Sequence, residues 1–164
     1  MRLPTAVVRR FTETAFGLWP MSLTMLVLRF TLALPFWKSG LTKWDDWFTL
    51  SFGAQALFTD EFKLHIFGAE YPYPAPELVA YASAIGETVL PVLLVLGFAT
   101  RYAALAILCM TAVIQLTVPD GWQNFHLPWA SMALAILTFG PGRAALDYFL
   151  GLESGEGRAP RISL

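Results

Sequence analysis

Long stretches without a charged side chain constrain this chain more than any other feature. Residues 14–28 carry no formal charge, and after Arg29 eight more residues pass before Lys38. Glu87 alone interrupts the uncharged run from 78 to 100, and 102–119 and 121–142 carry no formal charge at all. A bilayer core about 30 Å thick needs roughly 20 mainly apolar helical residues. The segments at about 20–41, 76–98, 100–118 and 126–141 have that character. A soluble bundle would show a charged stripe on each helix, and the last three segments have none. The pattern predicts an all-α fold, a four-transmembrane-helix bundle forming one membrane domain over 1–150 with a cytoplasmic tail at 151–164.

Composition excludes the main alternatives. Charged residues make up 14% of the chain and aromatic ones 15%, the reverse of a disordered sequence. A net charge of −1 and the lack of any Lys/Arg run exclude a basic nucleic-acid binder. One cysteine, Cys109, cannot form a disulfide framework.

Basic residues set the expected orientation. With the N-terminus in the cytoplasm, Arg2, Arg9, Arg10, Arg101, Arg143, Arg158 and Arg161 fall inside, against Lys43 and Lys63 outside. Both termini are therefore expected to be cytoplasmic, in a bacterial inner membrane. A cleaved signal peptide is not expected, because Arg29 and Lys38 interrupt the first apolar span.

The connections differ in kind. Gly97 suits a helix C-cap and Thr100 the next N-cap, making a tight inner turn, and Pro119-Asp120-Gly121 reads as an outer turn. Asp45 to Ala75 form a long outer loop. Within it Trp47, Leu50, Ala54, Leu57, Phe58 and Phe62 recur at helical spacing, with Asp45 and Asp46 as caps. This predicts a short amphipathic helix, either a cap over the bundle or a lid over an outward-facing site.

Two charges fall within the spans. Arg29 is expected roughly 13 Å from the inner end of its helix and Glu87 roughly 16 Å from the inner end of the antiparallel second helix. Isolated charges at such depth are costly, so the two are expected to pair as an intramembrane polar centre, structural or functional. Pro91 frees the carbonyl of Glu87 from its helical bond. Lys38, Gln115 and His126 are expected to line an outer vestibule above that pair. No C-x-x-C dithiol, bis-His haem pattern, metal cluster or nucleotide-binding loop occurs.

Several blocks resemble the DoxX family of small four-span membrane proteins. They are Leu28-Arg29, the run Phe36 to Lys43, Leu57 to Phe62, Gly86 to Leu94, Gly97 to Arg101, Met110 to Gln115, His126 to Ala130, and Gly140-Pro141-Gly142 with Leu146-Asp147. The resemblance implies a membrane subunit beside quinol oxidation, thiosulfate:quinone oxidoreduction or redox-stress and copper-handling systems. It carries over no agreed catalytic residues. Three functions stay open. The first is a non-haem subunit meeting quinone or a soluble or membrane oxidoreductase partner. The second is a small transporter or channel-like protein for a metal or sulfur compound, and the third a structural anchor for soluble partners. In each case the lipid bilayer is a partner and a homo-oligomer is compatible. No cofactor is built in, so quinone would come from outside.

Overall fold

The computed structural model describes residues 21–153. Residue 20, where the first span was expected to begin, the N-terminal arginines and the tail from 154 onward lie outside the described residues. Four helices carry the architecture: α1 (Met21–Leu41), α3 (Pro76–Leu96), α4 (Thr100–Thr117) and α5 (Leu127–Phe139). They bury one apolar core, including Met25, Leu32 and Phe36 of α1, Leu94 of α3, Ile107 of α4 and Ile136 of α5. Many of their outward-facing side chains are apolar too, among them Val27, Leu34, Ile85, Val89, Leu105 and Leu134.

Two of these helices, α3 and α4, are long and apolar enough to cross a membrane by length and composition. Helix α1 equals α3 in length, at 21 residues, but carries Arg29 and Lys38. Helix α5 has 13 residues, about 20 Å at 1.5 Å per residue. A π-helical turn over Trp122–His126 leads directly into it.

The outer loop departs from expectation. In place of one amphipathic helix capped by Asp45 and Asp46, it holds two small antiparallel hairpins and a short helix. Strands β1 (Trp44–Asp46) and β2 (Thr49–Leu50) form the first hairpin, β3 (Lys63–Ile66) and β4 (Ala69–Pro72) the second. Between them lie α2 (Phe52–Ala56) and a π-helical turn, Leu57–Glu61. The cap of α2 is Ser51, whose hydroxyl accepts from the Ala54 N–H at 3.1 Å. Ser51 also donates to the Thr42 carbonyl at 3.1 Å, so the loop is tied to the end of α1. Of the expected stripe, Leu50, Ala54 and Phe58 are buried, Leu50 and Phe58 packing with Tyr73 against Ala80 and Ala84 of α3, while Trp47 is exposed.

The register of α1 against α3 organises the rest. A Cβ added to Gly40 would sit 2.7 Å from the Glu87 carbonyl oxygen and 2.8 Å from its carbon. The two backbones thus touch where Pro91 has released that carbonyl. At the other end the Arg29 guanidinium occupies the space a side chain on Gly97 would need. Gly97 closes α3 in the left-handed region at φ 71°, as expected of a C-cap.

Gly40→Ala should therefore cost about 1–3 kcal/mol by overpacking, since its neighbours are backbone atoms that cannot swing away. Thermal unfolding of the purified protein in mild detergent checks this. Gly53→Ala, whose new methyl meets open space, is the control and should leave stability nearly unchanged.

Candidate functional site

Beside the Gly40–Glu87 crossing lies a cavity of about 520 Å³, bounded by α1, α3, α4, the start of α5 and the outer loop. Its walls are mostly apolar, with Phe36, Phe58, Phe62 and Trp129 supplying aromatic faces. These rings pack on one another: Phe36 and Trp129 centroids lie 5.1 Å apart, Phe58 and Phe62 5.2 Å. Lys43 and Glu87 are the charged residues of its lining.

Lys43 reaches the cavity because α1 ends in a turn. The Thr42 and Lys43 N–H groups donate back to the Ser39 and Gly40 carbonyls at 3.2 and 3.1 Å. The turn aims the ammonium at α3, where Lys43 Nζ donates to Glu87 Oε2 at 2.7 Å and to Ser39 Oγ at 3.0 Å. Glu87 Oε1 accepts from Ser83 Oγ at 2.8 Å, one helical turn away. Both members of this ion pair are buried. The pair is neutral as a whole, and one N–H of Lys43 is left over. A second polar group, Tyr73 with Thr117, closes another part of the lining at 2.5 Å. The Thr117 hydroxyl donates to the Val113 carbonyl at 2.9 Å, so the Tyr73 hydroxyl is the donor between them. The Gly86–Met110 contact matches α3 to α4. It places Thr117 eight residues from the level of Glu87, about 12 Å along the bundle.

The expected Arg29–Glu87 pair is not formed, because the two helices are offset. Matching the inner ends of both spans would set Arg29 opposite residue 89. The observed contacts set it opposite Gly97, eight residues or about 12 Å further inward. Contacts beyond the α3–α4 turn accompany that offset: Gly142 packs on Ser22 and Met25, and the Arg143 N–H reaches the Ser22 hydroxyl at 3.2 Å. Arg29 is fully buried there and donates through Nη2 to the Ala144 carbonyl. The Asp147 carboxylate acts on it electrostatically. Asp147 in turn accepts from the Ala99 and Thr100 N–H groups at 2.7 and 2.8 Å and from the Thr100 hydroxyl at 2.7 Å. The N-terminus of α4 is thus capped by Asp147 from a distant segment, and Thr100, expected as the cap, is its first helical residue. Arg29 Nε and Nη1 find no acceptor among the described residues.

The expected vestibule trio divides as well. His126 Nδ1 lies 2.6 Å from Gln115 Oε1, while the Gln115 amide donates to the Pro119 carbonyl at 3.0 Å. His126 is buried between Gly121 and Trp129, so this pair ties α4 to the start of α5. Lys38 is exposed and makes no polar contact among the described residues. Neither Lys38 nor the Gln115–His126 pair lines the cavity. No group of three or more His, Cys, Asp or Glu side chains arranged to hold a metal occurs among the described residues.

The family model described as DoxX matches residues 24–120. The chain belongs to the DoxX family. The match runs from α1 to the turn after α4 and so contains Lys43, Glu87 and most of the cavity lining. An uncharacterized protein of Haemophilus influenzae is 29% identical over 138 residues, covering 76% of this chain and 81% of that one. No solved structure matches. The family makes this a membrane protein in contact with the lipid bilayer.

Removing one partner of a buried ion pair leaves the other charge uncompensated, at about 3–5 kcal/mol, whereas replacing both is nearly neutral. Lys43→Met should therefore destabilise strongly, and Lys43→Met/Glu87→Gln should recover most of the loss. Unfolding midpoints of both variants in one detergent give the comparison. At the α3–α4 turn Asp147→Ala should cost more than Arg29→Met by the same measurement, since it strands a buried guanidinium and uncaps α4.

Proposed function

We propose that this DoxX protein is a non-haem, four-span subunit of the bacterial inner membrane that holds a quinone-type lipophile for a partner oxidoreductase. The observation that carries this reading is an apolar cavity whose charged groups form one neutral, hydrogen-bonded pair. Four helices sharing one core, with apolar outward faces, support four spans. Arg101 and Arg143 near one end and the acidic outer loop at the other support cytoplasmic termini.

The residues present suit such a ligand. A quinone head is flat, uncharged and bears hydrogen-bond acceptors. Aromatic faces offer it stacking contact, and Lys43 has an N–H to donate. A charged ligand would have to displace Lys43 or Glu87 from its partner, whereas a carbonyl oxygen leaves the pair intact. Bound quinone supplies reversible two-electron, two-proton chemistry. The chain's own part is to orient the carbonyl through Lys43, hold that ammonium in place through Glu87, and keep water away with Phe36, Phe58 and Trp129. The sequence has no dithiol motif, so the partner delivers or removes the electrons.

The test is purification in mild detergent followed by lipid extraction and mass spectrometry. Wild-type protein should carry quinone at a substantial fraction of one per chain. Lys43→Met/Glu87→Gln, which keeps the fold, should carry at least about tenfold less. Quinone absent from the wild type, or equal in both, overturns the reading.

A further inference from the structure

The cavity has a side wall that bears on how a ligand enters. Among its lining residues, Ala82 of α3 and Cys109 and Val113 of α4 are also exposed on the outer surface of the described chain. They mark the seam between α3 and α4. Side chains along this seam are small: Ala82, Ser83 and Gly86 on one helix, Ala106 and Cys109 on the other. Gly86 lies directly beneath Met110, whose sulfur would stand 2.9 Å from any Cβ added there. Methionine is unbranched and has three rotatable bonds, so it can swing aside more readily than any other large apolar residue.

The surroundings of the seam decide what passes through it. Tyr81, Ile85 and Val89 on α3 and Leu105 and Leu116 on α4 are exposed apolar neighbours. Glu87 is the one formal charge on either helix between Glu77 and Arg101, and it points inward to Lys43. These are also the two helices with the length and apolar composition of membrane spans.

We infer that the cavity opens sideways into the bilayer through a mouth between α3 and α4, edged by Ala82, Cys109 and Val113 with Met110 as its movable sill, so that its ligand is a neutral molecule dissolved in the membrane. This rests on the reading that the cavity is a binding site, but it makes a separate claim about the route. A ligand loading this way reaches Lys43 head first while its tail stays among lipid chains, and it needs no aqueous passage.

The route is tested without a known ligand. In full-length protein, Cys109→Ala removes the natural thiol and Ile114→Cys places one on the cavity lining. In vesicles of phosphatidylethanolamine and phosphatidylglycerol, that thiol should react with membrane-dissolved N-pyrenylmaleimide at least about tenfold faster than with a sulfonated, membrane-impermeant maleimide. Ala82→Trp or Val113→Trp, both at exposed positions, should slow the pyrenyl reaction at least about tenfold. Leu134→Trp, at an exposed position on α5 that does not line the cavity, should leave it unchanged. Faster reaction with the sulfonated reagent, or no slowing by either mouth variant, overturns the inference. Tryptophan quenching by decyl-ubiquinone is read in the same vesicles. Normal entry of the pyrenyl reagent without saturable quenching would remove the quinone reading and leave the mouth standing.

Discussion

The backbone contact between Gly40 and Glu87 sets the positions of the other polar groups in this protein. A missing side chain on α1 and a carbonyl freed by Pro91 on α3 let the two helices touch at one level. Once that level is set, the turn after α1 can deliver Lys43 only to Glu87. At the same time Arg29 is carried to the α3–α4 turn, where the segment after α5 supplies its acceptor. The two buried cations among the described residues are thereby given different partners, Lys43 the middle of α3 and Arg29 the segment after α5, although both lie on or just after one helix.

Each buried charge is accommodated differently. Lys43 and Glu87 are close, hydrogen-bonded and bordered by hydroxyls of Ser39 and Ser83, the arrangement that keeps a buried pair from being a net liability. Arg29 has a carbonyl and a neighbouring carboxylate but two N–H groups without acceptors among the described residues. Arg29 is fully buried, whereas the Lys43–Glu87 pair lines the cavity.

Much of the fold could be read from where charges are absent, and each main helix lies within about two residues of its expected boundaries. The polar centre could not, because the ends of the apolar segments, from which depth follows, do not lie at one level. Gly40 carried the missing information: a glycine one residue before a helix end, facing a Glu-x-x-x-Pro step, is a sign of close approach. Lys43 was grouped with surface cations since position along the chain does not reveal a back-turn. The outer loop kept only part of its expected stripe: Leu50, Ala54 and Phe58 are buried, whereas Trp47 falls at the turn of the first hairpin and is exposed. Asp147 gave no signal as a cap, since its partners at Ala99 and Thr100 lie 48 and 47 residues away.

The place of Arg29 also has a bearing on biogenesis. Its hydrogen-bond acceptor, the Ala144 carbonyl, is made 115 residues later in the chain. At translation rates of about 5–20 residues per second that is a wait of roughly 6 to 23 s. For that interval the Arg29 guanidinium lacks this acceptor, until the segment after α5 emerges. Assembly of this small bundle is thus completed from its C-terminal end, however early its first helix is laid down.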